Sequence, residues 1–389
     1  MPKVLVLDAN QRSGLAIVRS LGHHGITVIS GDHVANTLGG ASRFSSMAVQ
    51  YPDPATMPVA FIETINQLAE RLDLTAVIPA TDLTTMLLVS QPTLAKIVRL
   101  VTPEHASYEA LTDKARMVEL AGKLGIRVPT TRIARTTDEV VAASLETGFP
   151  VVLKPARSRY LAGDQVFSTS VEIVNTQGDL SNALTRCAWL KDIPCLVQEF
   201  IPGHGAGIFA LYETSKAVAW FAHRRIREKP PEGGVSVLSE SVRIDPLLQT
   251  ISERLLSAAR WSGVAMVEFR IAADGVPFLM EVNGRFWGSL QLSIDCGIDF
   301  PWLAYQLAMN ERLTAPINYA VGRRLRWLLG DVDRLIIESN RRPMNLPMLG
   351  ASLGSFLRTF LDPSCRQEVF RASDPGPGFQ EIAQWLSAR

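Results

Sequence analysis

Short apolar runs alternate with stretches of helical spacing in the N-terminal part of the chain. Residues 4–7, 26–29 and 76–79 are apolar runs, and apolar side chains recur at helical intervals over residues 12–24. Asp53-Pro54 places a capping residue before a proline, which predicts that a helix begins there. Strands that alternate with helices are typical of a parallel sheet with right-handed crossovers. The pattern predicts a Rossmann-like domain of the α/β class.

Two aspartates follow predicted strands of this domain. The turn at residues 8–14 lacks the Gly-x-Gly-x-x-Gly pattern, so no dinucleotide site is predicted there. Asp8 and Asp82 each allow two interpretations. Their carboxylates face a substrate crevice at the edge of the sheet, or they are ordinary strand-end and helix-cap residues.

Two lysines in the middle of the chain are candidates for binding an anion. Lys154 ends an apolar strand at residues 148–155, and a lysine in such a position needs an anionic partner, for which a nucleotide phosphate is the natural choice. The loop at 156–164, which contains Ser158, could cover phosphates with N–H groups and hydroxyls. Lys114 opens a helical stretch, against the preference of the helix dipole. A solvated lysine is the alternative there.

Two further segments carry polar groups at the ends of strands. Gln198 and Glu199 could face a nucleobase and a ribose, or lie exposed on an edge strand. Residues 219–236 deliver a cationic cluster into a loop, where guanidinium groups could bind carboxylates or phosphates. A solvated charged face is the alternative for that cluster.

A β-hairpin gives the strongest local signal. Asp274-Gly275 between two alternating runs predicts a tight turn and sets the cross-strand register. One face then pairs only apolar residues: Val267 with Val282, Phe269 with Met280 and Ile271 with Phe278. The other face pairs Met266 with Asn283 and Glu268 with Glu281.

The opposed glutamates predict a cation between them. Two carboxylates with Cβ atoms ~5 Å apart repel by about 3 kcal/mol at an effective dielectric of ~20. Carboxylate and amide oxygens are hard ligands that suit Mg²⁺ carrying nucleotide phosphates. Glu268, Glu281 and Asn283 therefore predict a metal site, with two solvated surface glutamates as the alternative.

Composition excludes several classes of protein. The chain has 39 Lys and Arg against 38 Asp and Glu, a net charge of +1 that does not indicate a nucleic-acid binder. No stretch approaches the ~18 apolar residues of a transmembrane helix, and the first apolar run is too short for a signal peptide. The four cysteines are widely spaced, without Cys-x-x-Cys. We therefore expect a cytoplasmic protein.

Residues 312–389 differ in composition from the rest of the chain. They contain eleven Arg, no Lys and seven Asp or Glu, and residues 323–329 predict the start of a basic amphipathic helix. A helical segment packed on the rest of the protein is one interpretation. Recruitment of a partner or an anionic surface is the other.

Five motifs together resemble the ATP-grasp superfamily, in the family's order over roughly residues 100–310. They are Asp113-Lys114, residues 150–155, residues 197–201, Val267-Glu268-Phe269 and residues 281–285. Residues 223–227 and 285–289 are similar to the grasp domains of biotin carboxylase and carbamoyl-phosphate synthase.

The resemblance implies an α/β (α+β) ATP-grasp fold. A Rossmann-like pre-ATP-grasp domain would cover residues 1–112, and an ATP-grasp domain would cover residues 113–311. Within the latter, a lid subdomain would span about 113–197 and a large subdomain about 198–311. A helical C-terminal extension would cover residues 312–389.

The resemblance also implies roles for particular residues. Contacts to ATP would come from Lys114, Lys154, Ser158, Gln198, Glu199, Ile201 and His204. The ligands of Mg²⁺, or of Mn²⁺, would be Glu268, Glu281 and Asn283. Arg285 would stabilise the transferring phosphoryl group, with Arg225 as a second catalytic arginine. Substrate contacts would come from Arg227, Gly233, Gly234 and Ser236.

The implied activity is ATP-dependent ligation of a carboxylate to an amine through an acyl phosphate, with release of ADP and phosphate. The expected partners are a small-molecule carboxylate and an amine, with no nucleic acid and no transmembrane segment; a homodimer is left open. The alternatives are a non-catalytic ATP-binding regulator or an ATP-dependent carboxylase on the same fold, or a dehydrogenase built on the first domain. The sequence names neither the acid nor the amine.

Overall fold

The computed structural model describes residues 1–231, 234–341 and 346–389. The N-terminal strands are β1 (Lys3–Val6), β2 (Thr27–Asp32), β3 (Ser45–Gln50), β4 (Ala76–Ile78) and β5 (Arg99–Leu100). They form a parallel sheet in the order β3-β2-β1-β4-β5. The helices are α1 (Arg12–His23), α2 (Pro58–Leu72), α3 (Asp82–Val89), α4 (Leu94–Ile97) and α5 (His105–Thr112). Side chains of β1 alternate between a core with α1 and a core with α2, which confirms the predicted α/β pattern.

Two details of this domain differ from the prediction. The helix expected from Asp53 begins at Pro58 instead, because Asp53 closes a turn: its Oδ1 accepts a hydrogen bond from Ala55 N at 2.9 Å and its carbonyl accepts one from Met57 N at 2.8 Å. Strand β3 was not predicted. It lies at the edge of the sheet and is largely exposed, so it lacks the apolar run that marks a buried strand.

The middle of the chain forms a smaller antiparallel sheet. Its strands are β6 (Thr131–Ala134), β7 (Val151–Pro155), β10 (Glu172–Val174) and β11 (Cys195–Glu199), in the order β10-β7-β11-β6. The helices are α6 (Lys114–Lys123), α7 (Thr137–Thr147) and α8 (Leu180–Arg186). A separate hairpin consists of β8 (Arg159–Ala162) and β9 (Gln165–Ser168).

The β8–β9 hairpin occupies much of the segment predicted to be a phosphate-covering loop. Val166 of the hairpin is 8% exposed and packs into the core that α2 shares with the parallel sheet, and its N–H donates to the Ala55 carbonyl at 2.8 Å. Thr169, just beyond the hairpin, holds the preceding residues, because its Oγ1 donates to the Arg157 carbonyl at 2.9 Å and its N–H to the Ser158 carbonyl at 3.1 Å. The hairpin thus ties the middle part of the chain to the N-terminal domain.

A seven-stranded sheet forms the largest layer. Its strands are β12 (Gly203–Glu213), β13 (Lys216–Lys229), β14 (Val235–Ser241), β15 (Gly263–Ala272), β16 (Pro277–Asn283), β17 (Arg324–Arg326) and β18 (Cys365–Gln367). Their order is β16-β15-β12-β13-β14-β17-β18, antiparallel except for the parallel pair β17–β18. The helices along this part are α9 (Pro246–Ala258), α10 (Leu290–Asp295) and α11 (Phe300–Ala308).

The predicted hairpin forms, with part of its register shifted. Val267 pairs with Val282 and Glu268 with Glu281, as the sequence predicts. An irregularity after Glu268 then moves the remaining pairs by one residue, so the predicted partners Met280 and Phe278 are wrong: Phe269 pairs with Leu279, and Ile271 with Pro277. The shift occurs on the turn side of the glutamates and leaves their pairing unchanged.

The C-terminal residues are largely helical, in α12 (Leu328–Ser339), α13 (Leu346–Arg358) and α14 (Gly376–Ser387), and they also contribute β17 and β18. The helix predicted from residue 323 is wrong at its start, because Arg326 lies in β17. Its guanidinium is fully buried, 2.9 Å from Asp331 and stacked on Phe356 and Phe360.

The C-terminal segment packs on the N-terminal domain. Arg19 of α1 is buried and pairs with Asp374 at 2.8 Å, and its Nη groups donate to the carbonyls of Glu368 and Val369. Arg12 also pairs with Glu368. These buried contacts favour the packed interpretation of residues 312–389.

One carboxyl group of this segment makes stability depend on pH. Burial and the neighbouring Glu368 raise the pKa of Glu381 from 4.5 to about 7, although Trp327 Nε1 donates to it at 2.6 Å. The fold therefore favours the protonated form, and stability is lost as pH rises from the unfolded value towards about 7. We expect Glu381→Gln to raise the melting temperature relative to wild type more at about pH 8 than at about pH 5. Equal differences at both pH values in thermal unfolding would contradict this.

Candidate active site

The two glutamates of the hairpin form the centre of a charged cleft. Glu268 on β15 lies directly opposite Glu281 on β16. Asn283 bridges them, since its Nδ2 donates to Glu268 Oε1 at 3.2 Å and to Glu281 Oε1 at 3.4 Å. The cross-strand register therefore brings the three predicted metal ligands together.

Cations from four segments surround this centre. Lys114 Nζ lies 3.3 Å from Glu281 Oε2, and Arg225 Nη2 lies 3.3 Å from Glu268 Oε2. Arg285 Nη2 donates to Asn283 Oδ1 at 3.3 Å. Lys154 Nζ donates to the carbonyl of Met280, the residue before Glu281, at 3.3 Å. Each carboxylate therefore has positive charge close to it.

The lysines are held by well-defined local structure. Asp113 caps α6 by accepting from Ala115 N and Arg116 N, which places Lys114 at the first helical position. Lys114 is 5% exposed and its Nζ donates to Ser158 Oγ at 3.0 Å. Lys154 stands on β7 opposite Leu196 of β11, and it is 8% exposed.

Arg157 joins the segment before α6 to the loop that carries Ser158. Its guanidinium pairs with Glu109 of α5, with one Nη1–Oε1 distance of 3.0 Å, and its Nε donates to Asp113 at 3.2 Å. Sequence reasoning missed this link, because Glu109 lies 48 residues away along the chain. The link fixes Ser158 beside Lys114.

Electrostatics differ between the two glutamates. Burial raises the pKa of Glu268, and the charge of Glu281 adds to that effect. Burial acts in the same direction on Glu281, but Lys114 and Lys154 outweigh it and hold its pKa below the ordinary value. Burial also lowers the pKa of Lys154. The cleft therefore favours an ionised Glu281 and gains from any further positive charge near Glu268.

The donor set fits a hard divalent cation. Two carboxylates and one amide converge, and oxygen ligands of this kind suit Mg²⁺ or Mn²⁺. Here Asn283 turns its nitrogen to the glutamates, so metal binding would require rotation of the amide to present Oδ1. Within the described residues, no cluster of three or more His, Cys, Asp or Glu side chains offers a larger metal site.

Asp82 and Asp8 have different surroundings. Asp8 Oδ2 accepts from Ala80 N, Thr81 N and Thr84 Oγ1, which is the strand-end role. Asp82, in contrast, pairs with Arg285 Nε at 3.1 Å and lines the cleft that contains Lys114 and Glu281. The strand-end interpretation therefore holds for Asp8, whereas Asp82 lies in a cleft and its contact with a substrate stays a prediction.

The residues predicted to bind adenine and ribose lie along β11 and the start of β12. Gln198 is 3% exposed; its Nε2 donates to Thr131 Oγ1 at 2.9 Å, and its Oε1 has no partner among the described residues. Glu199 is half-buried, and the Ile201 carbonyl accepts from Arg270 Nε at 3.2 Å. His204 is exposed and lines a different cleft, beside Leu248 and Val242. Their nucleotide contacts stay a prediction.

Of the predicted substrate residues, the three that the structure describes do not line the cleft of Lys114 and Glu281. Arg227 pairs with the buried Asp331 at 2.6 Å, and burial lowers its pKa to about 10. Ser236 Oγ contacts Ser239 Oγ at 2.7 Å, and Gly234 packs closely against the Lys229 carbonyl. Gly233 lies outside the described residues. Their substrate contacts also remain predictions.

Part of the chain is similar to known ATP-grasp proteins. A family profile described as ATP-grasp in the biosynthetic pathway with Ter operon matches residues 191–329. The carbamoyl phosphate synthase large chain of Gemmatimonas aurantiaca is 25% identical over 236 residues, which are 59% of this chain and 21% of that protein. Over residues 191–329, the chain thus matches an ATP-grasp family. The match with the synthase spans about a fifth of the length of that protein.

Solved structures show the same fold. The biotin carboxylase of Campylobacter jejuni, in complex with β-γ-ATP, superposes with a TM-score of 0.64 and 14% identity over 83% of this chain and 74% of that chain. The N5-carboxyaminoimidazole synthetase of Staphylococcus aureus gives a TM-score of 0.65 and 14% identity over 88% and 86%. These likenesses confirm the predicted ATP-grasp fold. None of the helices in the described ranges is long and apolar enough to cross a membrane.

Replacement of Glu281 by Gln tests the metal site. The variant loses one of two carboxylates and leaves Lys114 without the anionic partner at 3.3 Å. We expect Mn²⁺ affinity in the presence of AMP-PNP, measured from the electron paramagnetic resonance of free Mn²⁺, to fall about tenfold or more. Glu63→Gln, on the exposed face of α2, is the matched control. Unchanged Mn²⁺ affinity in Glu281→Gln would rule out the assignment.

Proposed function

We propose that this ATP-grasp chain is an ATP-dependent ligase that activates a carboxylate as an acyl phosphate and transfers it to an amine. The observation that carries the proposal is the carboxylate pair with its ring of cations. Glu268 and Glu281 face each other, and Lys114, Arg225 and Arg285 each lie within hydrogen-bond or ion-pair distance of this centre. Such a site combines metal ligands with phosphate-binding cations.

A divalent cation held by Glu268, Glu281 and Asn283 would neutralise the phosphate oxygens during transfer. Lys114 and Lys154 bind phosphate oxygens in this proposal, because both ammonium groups are buried beside the glutamates and gain from a further anion. In this proposal Gln198, Glu199 and Ile201 line the adenine side, and His204, which lines a different cleft in this structure, would have to turn to reach the ribose. Ser158 orients Lys114.

The chemistry needs positioned charge more than a covalent nucleophile. A carboxylate oxygen of the substrate forms a bond to the γ-phosphorus while the bond from that phosphorus to ADP breaks. The amine nitrogen then bonds to the acyl carbon, the carbon–oxygen bond to phosphate breaks, and a proton from the amine leaves with the phosphate. Arg285 and Arg225 stabilise the negative charge on the transferring group.

A carboxylase is a second candidate, with bicarbonate as the acid. The named activities of the solved structures of similar fold favour including it, although likeness at 14% identity concerns the fold alone. Bicarbonate activated by ATP gives carboxyphosphate, which contains the same kind of mixed anhydride as an acyl phosphate. One assay therefore serves both candidates.

The test is ADP release across a panel of carboxylic acids and bicarbonate, with Mg²⁺ and with hydroxylamine as a general nucleophile. We expect one acid to give ADP and a hydroxamate in equal amounts, and Glu281→Gln to lose both products because the metal site is damaged. Glu63→Gln should retain them. Binding of AMP-PNP without ADP release for any acid would contradict the ligase and favour the non-catalytic regulator.

A further inference from the structure

Asp82 is a cleft carboxylate in the first turn of α3, where the helix dipole favours an acidic residue. It stands at the start of α3, the helix that follows strand β4 of the parallel sheet. The cap of α3 is Thr81, whose Oγ1 accepts from Thr84 N. Asp8 accepts the neighbouring N–H groups of Ala80 and Thr81. Asp82 therefore does not cap this helix.

The other acids around the cleft are already engaged. Glu109 pairs with Arg157, and Asp113 caps α6. Glu268 and Glu281 form the proposed metal site. Asp82 remains 34% exposed, and among the described residues its ion pair is with Arg285 Nε at 3.1 Å.

The Arg285 guanidinium contacts two acceptors that lie in different parts of the site. It donates to Asn283 Oδ1 at 3.3 Å, beside the glutamates, and its Nε contacts Asp82 in the N-terminal domain. An arginine guanidinium is always charged at neutral pH. A phosphoryl group beside the metal competes with Asp82 for this guanidinium.

We propose that Asp82 binds the ammonium group of the amine substrate, and that Arg285 occupies Asp82 until the nucleotide is bound. This rests on the ligase proposed above. Once Arg285 turns to the transferring phosphoryl group, Asp82 is left as an unpaired carboxylate next to the activated acid. A primary amine, or ammonia, that arrives as its ammonium ion matches that charge. The ligand class at this position is thus a cationic N–H donor. Before attack, one N–H proton passes from the ammonium ion to the Asp82 carboxylate, which frees the nitrogen lone pair; the second proton leaves with the phosphate, as above.

The exchange of partners is tested by nucleotide binding. Asp82→Asn removes the competitor for Arg285, so calorimetry should show Mg²⁺–AMP-PNP binding about fivefold tighter relative to Mg²⁺–ADP than in wild type. Asp73→Asn is the matched control, because Asp73 is exposed at the end of α2, in a left-handed conformation that Asn tolerates. An unchanged ratio in Asp82→Asn overturns the exchange.

The ammonium site is tested in the hydroxamate assay. Ammonium chloride should suppress wild-type hydroxamate formation by competing with hydroxylamine, which is mostly uncharged at neutral pH. Tetramethylammonium chloride at equal ionic strength is the control, since it has the charge but no N–H donor. Each variant's rate in ammonium chloride is compared with its own rate in tetramethylammonium chloride.

We expect suppression in wild type and in Asp73→Asn, and its loss in Asp82→Asn. Equal suppression in Asp82→Asn, or none in wild type, overturns the assignment of Asp82 while the ligase stands. Absence of hydroxamate from wild type with every acid contradicts the ligase itself, and this inference with it.

Discussion

Two carboxylates held face to face on the β15–β16 hairpin are the constraint on which the cleft depends. The strand register leaves them no freedom to separate, because their apolar neighbours on the opposite face, such as Val267 and Val282, are buried in the core. Repulsion of about 3 kcal/mol at an effective dielectric of ~20 must therefore be met by positive charge. Lys114 and Arg225 supply this positive charge, and Asn283 adds a polar bridge between the glutamates.

The compensating groups come from separate elements, so the surrounding fold has to keep them in place. Lys114 depends on the cap of α6 and on the loop that the β8–β9 hairpin ties to the N-terminal domain. The turn after Arg285 is held by Ser289, whose Oγ lies 2.8 Å from Nε2 of the buried His223. Burial lowers the pKa of His223 to about 3, so its imidazole is neutral and adds no charge to the cleft. Positive charge is thus concentrated at the glutamates.

Local sequence patterns predicted the structure correctly where neighbouring residues determine it. The turn at Gly275 and the alternation of apolar residues gave the pairing of Glu268 with Glu281 directly, and the one-residue shift near Phe269 could not be read because it depends on how the sheet bends. Elsewhere the prediction failed because the structure depends on contacts between residues far apart in the sequence. The pattern predicts Arg326 at the start of a basic amphipathic helix, yet this residue is buried against Asp331, the ring of Phe356 on α13 and the ring of Phe360. The adenine and substrate residues remain predictions, since they depend on contacts with a ligand rather than within the chain.

A crystal structure of the protein with Mg²⁺ and AMP-PNP tests the metal site most directly. We expect the metal between Glu268 and Glu281, with Asn283 turned to present its oxygen, and the triphosphate against Lys114 and Lys154. We also expect Arg285 to contact the terminal phosphate. A nucleotide bound outside this cleft, or a triphosphate in the cleft with the metal away from both glutamates, would contradict this assignment.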